Sequence, residues 1–296
     1  MRMQELIKAV GTGPKGNRPL MSDEIVFGID AMLSKVATPA QIGSFLTAWR
    51  VAYETDEDIQ AAYNALVLHV RKKEAVAQSV EVAYAYDGKQ YTPYVYPLCT
   101  SLLAPFDLKL AMSSDDLVPA KSGIPLKDVL DDALKKELLY SDRKEFLPEL
   151  SALTPLRHEL GVRTIFNTIE KLPHVFGSQY ALIGYFHGPY AKKYATMLQG
   201  HYERVVVVKG SEGSPEVFKK GTLHIIDKEK IAECAVSPEM VGLEIKEWKE
   251  LMNAEAMHTC LQFPDEVMQK LAQLHAAIAL VAAKRAQTVD EALGLL

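Results

Sequence analysis

Cysteine is scarce in this chain, with three among 296 residues. Cys99, Cys234 and Cys260 stand far apart, at no spacing that would hold zinc or staple a small fold. A reduced, cytoplasmic setting is therefore the simplest expectation. Long apolar runs are missing too: stretches such as "HAAIALVAA" fall short of the roughly 20 residues that cross a bilayer, so no membrane association is expected. The opening "MRMQELIKAV" lacks the apolar region and small-residue cleavage site of a secretory signal. Nor is there an excess of positive charge, since 38 acidic residues against 33 basic leave a formal charge of −5. That speaks against a surface that coats nucleic acid, although one basic groove would still act within a Debye length of about 10 Å. Low-complexity tracts and short repeats are also lacking. "GTGPKGN" at 11–17 is glycine-rich, but no apolar strand precedes it and no GK[ST] follows, which excludes a phosphate loop. Ser113, Ser114 and Ser122 have no histidine and acid at the spacing of a serine hydrolase.

What remains is ordinary globular composition, 48% hydrophobic and 24% charged, enough for one large domain or two modest ones. The first seventy residues read as helices. "TPAQIGSFLTAWRVAY" offers Thr38 as N-cap, Pro39 at the first helical position and Gln41 to complete a capping box, with Ile42, Phe45, Leu46, Trp49 and Tyr53 on one face. Ser22 and Thr55 open similar segments. Near residue 80 the period changes. "VEVAYAY" and "FDLKLAM" read as strands, and a helix is expected over "IPLKDVLDDALKKELL" and another over 156–172. Then follow a strand "YALIGYF", a helix "GPYAKKYATMLQG", strands "RVVVVKG" and "TLHIID", and two long helices near 238–257 and 264–285. Alternating strands and helices predict a mostly parallel sheet covered on both faces. The expected fold class is α/β. A small helical domain spans 1–72, with part of 128–172 packing on it, and a larger α/β domain spans 76–127 and 174–296.

Four segments carry a resemblance: "TPAQIGSFLTAWRVAYETDEDI", "RHELGVRTIFN", "ALIGYFHGPYAKKYATML" with "RVVVVKGSEG", and the tail "TVDEALGLL". In order and spacing they resemble the anthranilate phosphoribosyltransferase family, glycosyltransferase family 3, over nearly the whole chain. The resemblance implies a ribosyl phosphate held between the two domains and a homodimer. It also implies three donor-binding elements, and each is altered here. The family's GTGGD turn, whose amides grip pyrophosphate, corresponds to "AYDGKQYTPYVYP", which keeps Gly88 and places Tyr91, Pro93 and Tyr94 where small residues belong. The family's KHGNR falls on Met112 to Asp116, so that Asp115 and Asp116 stand where phosphate-holding cations belong and repulsion is expected. Lys109 and Lys121 nearby remain as possible sources of positive charge. The family's acidic magnesium dyad falls on Pro215 and Glu216, leaving Glu216 as half a metal site; magnesium is expected only if transfer is retained.

Arg157 matches the arginine that faces the aromatic acceptor, where a guanidinium suits a planar carboxylate. Gly161, Thr164, Phe166 and Asn167 belong to the hinge, beyond which the family's LLGPLTNP is replaced by "TIEKLPHVF". The ligand-binding candidates are thus Asp87, Gly88, Lys89, Thr92, Lys109, Lys121, Ser122, Arg157, Arg163, Asn167 and His187. Three functions stay open. The first is a member that has lost phosphoribosyl transfer and binds nucleic acid or another polyanion, with Arg71, Lys72, Lys73, Lys192 and Lys193 as contacts and Tyr190, Tyr194 and Phe218 for stacking. The second is a transferase with a rebuilt donor site. The third is a non-catalytic binder of a small aromatic ligand or a protein partner.

Overall fold

A computed structural model of the chain describes every residue except Phe186, His187, Pro189, Gln199 and Glu229. Helices α1 (Met3–Gly11), α2 (Ser22–Leu33), α3 (Pro39–Ala52) and α4 (Asp56–Leu68) build the amino-terminal domain. The Gln41 N–H donates to Thr38 Oγ1 at 3.3 Å, and the Thr38 N–H donates to Gln41 Oε1 at 3.0 Å. This reciprocal cap satisfies amides that a helix start leaves free. Thr55 and Asp58 repeat the cap, and Asp58 also accepts from Trp49 Nε1 at 3.1 Å, tying α3 to α4. Ile42, Phe45, Leu46 and Trp49 are buried as expected, but Tyr53 is 81% exposed, because at φ +65° it ends α3 rather than continuing its stripe.

Seven strands form one sheet: β1 (Ser79–Ala83), β2 (Lys109–Ser114), β3 (Leu139–Asp142), β4 (Tyr180–Gly184), β5 (Arg204–Val208), β6 (Gly221–Asp227) and β7 (Lys230–Val236). Their order is β3-β2-β1-β4-β5-β6-β7, parallel from β3 to β5 and closed by an antiparallel β6–β7 hairpin. Every residue of β1, β4 and β5 is buried, as a sheet covered on both faces requires. One face packs on the helical domain, and the other on a helix over Glu266–Ala282. No helix among the described residues is long and apolar enough to cross a membrane.

Four segments differ from the sequence expectation. Over 124–139, Asp131 accepts the Leu134 N–H and starts a helix of only Asp132–Glu137; Leu139 then leaves to open β3, which periodicity did not reveal. The 156–172 helix divides into Thr154–Leu160 and Ile165–Ile169, because Gly161 at φ +64° caps the first piece. Residues 238–257 hold a short turn at Pro238–Val241 and the start of a helix at Ala254–Gln262, capped by Asn253. Edge strand β7, largely exposed, carries too little apolar alternation to announce itself.

One backbone contact shapes the site. Residues 87–89 and 123–124 zip together, with Gly123 N–H to Asp87 O at 3.0 Å, and Lys89 and Ile124 exchanging amide bonds at 3.1 and 2.8 Å. A Cβ on Gly88, which has φ +72°, would lie 2.5 Å from the Gly123 carbonyl carbon. Gly242 has almost the same φ, +71°, but nothing within 4 Å of a Cβ. We expect Gly88→Ala to cost at least about 3 kcal/mol and Gly242→Ala about 1–2 kcal/mol, measured by urea denaturation. Equal costs would mean that the Gly88–Gly123 contact yields without penalty.

Candidate ligand cleft between the domains

Beyond the carboxyl ends of β1 and β4, where open parallel sheets place ligands, lies a cleft of about 410 Å³, within the range of small-molecule sites. The α/β side supplies Tyr86, Asp87, Gln90, Tyr91 and Lys121, and the loop after β5 supplies Glu212 and Gly213. The opposite wall carries Arg163, Thr164, Asn167, Glu170 and Lys171, with Arg50 from α3. Tyr185, Tyr190 and Tyr194 complete it. Arg163 Nη2 donates to Asp87 at 2.8 Å, and Asn167 Nδ2 donates to Pro119 O at 2.6 Å. Thr164 Oγ1 is buried without a partner among the described residues.

The loop expected to be blocked by tyrosines is arranged differently. Tyr94 turns into the core, and Tyr91 is 36% exposed at the cleft wall. The amides between them are ordered and converge. Gln90 N–H donates to Glu212 Oε2 at 2.7 Å; Tyr91 N–H, Thr92 N–H and the Thr92 hydroxyl donate to Glu212 Oε1 at 3.0, 2.9 and 2.8 Å. Lys121 Nζ stands 3.5 Å from the same carboxylate. Burial raises the Glu212 pKa, but the Gln90 amide, Lys121 and the Thr92 hydroxyl outweigh it and leave it below the ordinary value. The cradle is therefore an anion-binding nest filled by the chain's own carboxylate.

Lys89 and Glu216, expected as a ligand contact and half a metal site, lie in the core behind that loop and pair with each other, 3% and 0% exposed. Glu216 Oε1 accepts from the Tyr84 hydroxyl and the Val95 amide, and Oε2 from Lys89 Nζ and, at 3.3 Å, Ser214 Oγ. Lys89 also donates to Pro93 O and faces the Tyr94 and Phe218 rings at 5.1 and 5.0 Å. Burial pulls the Lys89 pKa down, partly opposed by Glu216.

The aspartates expected to repel an anion, Asp115 and Asp116, are both paired with cations. Asp115 is fully buried and accepts from Arg143 Nε at 2.6 Å and Ser151 Oγ at 2.7 Å, while Asp116 pairs with Lys127 and Lys144. Arg143 also holds Glu170, and Arg157 donates two bonds to that carboxylate, at 2.7 and 2.9 Å. Both arginines are fully buried, so Arg157 reaches the cleft only through Glu170. Burial would raise the Glu170 pKa, but Arg157 and Arg143 outweigh it and hold it below the ordinary carboxylate value.

Of the remaining candidates, Gly88 and Ser122 flank the cleft, Ser122 through a Gln90 Nε2 bond to its carbonyl at 3.3 Å. Lys109 is exposed at the opposite, amino-terminal edge of β2. His187 lies outside the described residues. Among the polyanion candidates, Arg71 pairs with Glu149, Lys73 with Glu145 and Lys193 with Asp56, and Lys72 donates to His174 O. Lys192 is exposed on the cleft-side helix Tyr190–Met197. Arg50, Arg143, Glu170, Lys171 and Glu212 escaped sequence reasoning. For Glu212 the one signal was an acid in a glycine turn, "GSEGS", at the position where a parallel sheet presents its loops.

Comparison with known proteins places this geometry. Residues 4–69 match the helical bundle domain of a glycosyl transferase family, and residues 137–296 match its a/b domain. An uncharacterized protein of Aquifex aeolicus is 28% identical over 280 residues, covering 90% of this chain and 87% of that protein. Anthranilate phosphoribosyltransferase of Xanthobacter autotrophicus is 28% identical over 309 residues, covering 97% and 88%. Among solved structures, anthranilate phosphoribosyltransferase of Thermus thermophilus has a TM-score of 0.76 at 20% identity, covering 99% of this chain and 92% of that one. The Saccharomyces cerevisiae enzyme in complex with PRPP and Mg has a TM-score of 0.74 at 16% identity, covering 98% and 91%. Such identities speak for a shared fold, and the site has to be judged on its own residues.

Glu170→Gln removes the carboxylate on which Arg157 depends and one of the two that hold Arg143. We expect a loss of about 3–5 kcal/mol at pH 7, the usual cost of stranding a buried charge, read by urea denaturation. Because the folded-state pKa of Glu170 is depressed, its contribution is complete above the unfolded value of about 4.3 and fades as pH falls through the folded value. The gap between wild type and variant should therefore narrow below about pH 4.3; a gap that widens there would contradict this assignment.

Proposed function

This chain belongs to the glycosyl transferase family that joins a helical bundle to an a/b domain, and from that membership we propose that it has given up phosphoribosyl-pyrophosphate-dependent transfer while keeping the cleft as a binding site for a small planar anion. The observation that carries this reading is the buried Lys89–Glu216 pair. Magnesium bound to a donor needs carboxylate oxygens with free lone pairs facing the ligand. Both oxygens of Glu216 are instead taken up within the core, one of them by an ammonium, and proline occupies position 215. These residues do not fit the metal.

The cleft itself favours a ligand. Arg50, Lys121, Arg163 and Lys171 bring positive charge, Lys121 and Arg163 sharing theirs with Glu212 and Asp87; five tyrosines bring flat apolar surface, and the Thr164 hydroxyl is buried without a partner among the described residues. Such a mixture suits an aromatic or heteroaromatic acid, whose ring stacks while its charge is met by a cation. A second reading draws on the helix Tyr190–Met197, which carries Tyr190 at the cleft with the exposed Lys192 beside it, while Tyr194 is buried and Lys193 pairs with Asp56. Stacking rings next to lysines are how single-stranded nucleic acid is held without sequence readout.

Calorimetry with phosphoribosyl pyrophosphate and magnesium should give no saturable heat at millimolar donor, and a coupled assay with anthranilate no turnover. Submillimolar donor binding would overturn the proposal. Fluorescence titration with labelled single-stranded DNA decides the second reading, which requires affinity that falls steeply with salt; absence of binding at low salt removes it.

A further inference from the structure

We propose that Glu212 is an internal ligand of the amide cradle at residues 90–92, and the residue that keeps external oxyanions of the phosphate class out of it. This deepens the reading above and rests on it. Three consecutive amides, the Thr92 hydroxyl and the Lys121 ammonium all address one carboxylate, the four hydrogen bonds lying between 2.7 and 3.0 Å. That many donors around one anion make a built site, more than the capping of a single amide requires. The cradle is held in shape by contacts other than the Glu212 side chain: on one side by the Gly88–Gly123 backbone contact, on the other by Lys89 anchored to Glu216, four residues beyond Glu212 in the same turn.

The occupant comes from a locally closed turn that ends at the same Glu216. Ser214 N–H donates to Ser211 O at 3.0 Å and Ser211 N–H to Glu216 O at 2.8 Å, so the turn carries its own bonds. Glu212 itself sits at φ +53°, a conformation that non-glycine residues adopt only at some cost. A tethered carboxylate competes with free anions at an effective concentration of millimolar or above, so a dissolved oxyanion finds the donors already taken. The side chain also lines the cleft and is 13% exposed, so its removal would open the cradle toward the cleft and leave Lys121 free to meet a new anion.

The backbone indicates the variant. Glycine is at ease at the φ of +53° found at this position, so Glu212→Gly deletes the carboxylate without adding strain, and Glu212→Gln keeps the bulk while removing the charge. Inorganic pyrophosphate, without magnesium, is titrated into wild type and both variants by calorimetry, with thermal unfolding midpoints followed in parallel. We expect wild type to stay silent at millimolar pyrophosphate. Glu212→Gly should bind at least about tenfold more tightly and gain in midpoint with pyrophosphate, Glu212→Gln should bind more weakly than Glu212→Gly, and the further change Lys121→Ala should reverse most of the gain. If either variant keeps a cooperative unfolding transition yet binds pyrophosphate no better than wild type, the internal-ligand role is wrong. It is equally wrong if wild type binds pyrophosphate as tightly as Glu212→Gly. Donor binding by wild type in the presence of magnesium would instead strike the functional reading. A silent wild type with a silent Glu212→Gly leaves that reading intact and removes only the role assigned to Glu212.

Discussion

An ammonium and a carboxylate taken out of water together each forfeit several kcal/mol of hydration, and only close mutual contact with every remaining hydrogen-bonding position filled restores the balance. Lys89 and Glu216 come near that condition: the Tyr84 hydroxyl and the Val95 amide fill Glu216, Lys89 also donates to the Pro93 carbonyl, and the Tyr94 and Phe218 rings surround its ammonium. The pair staples the segment after β1 to the loop after β5. Once residue 89 is pinned to residue 216, the amides of 90–92 lie beside residue 212. Cradle and occupant are thus consequences of a bond made one step deeper in the core.

A comparable logic governs the far wall. Asp115 and Glu170 would repel any anion if they faced the cleft alone, but Arg143 bridges them and Arg157 covers the rest of Glu170. Asp115, Glu170, Arg143 and Arg157 thus form one hydrogen-bonded network, of which Glu170 reaches the cleft. What is left along the cleft is mixed, with Arg50, Lys121, Arg163 and Lys171 against Asp87, Glu170 and Glu212. A mixed lining gives no strong field of one sign to gather a highly charged substrate. It is better matched to a ligand that brings one charge and a flat ring.

Much of the fold was legible because its signals are local. Thr38 with Gln41, and Thr55 with Asp58, name helix starts from adjacent residues, and "YALIG" and "RVVVV" read as buried parallel strands since nearly every residue is apolar. Local reading failed where a long-range partner decided. Leu139 follows a helix-like run yet pairs with Ala111 in the sheet, and β7 exists because β6 offers it an edge. The site was legible to a lesser degree. Asp87, Lys121, Arg163 and Asn167 do line the cleft, whereas Lys89, Arg157 and Glu216 share its neighbourhood but spend their charges on one another or on Glu170.

The sequence by itself determined which residue types stand at the positions that the family resemblance assigns to donor binding: proline at 215, aspartates at 115 and 116, and tyrosines and a lysine around Gly88. Those are facts of composition at a position, and they motivate the proposal that the site has changed. Only the tertiary structure decided where those side chains go, namely that Glu212 meets the amides of 90–92, Lys89 pairs with Glu216, and the aspartates face Arg143, Lys127 and Lys144. The physical reason is that charge acts over a few ångströms in space, and each partner here lies between 11 and 127 residues away along the chain, a separation across which a linear pattern carries no record of direction.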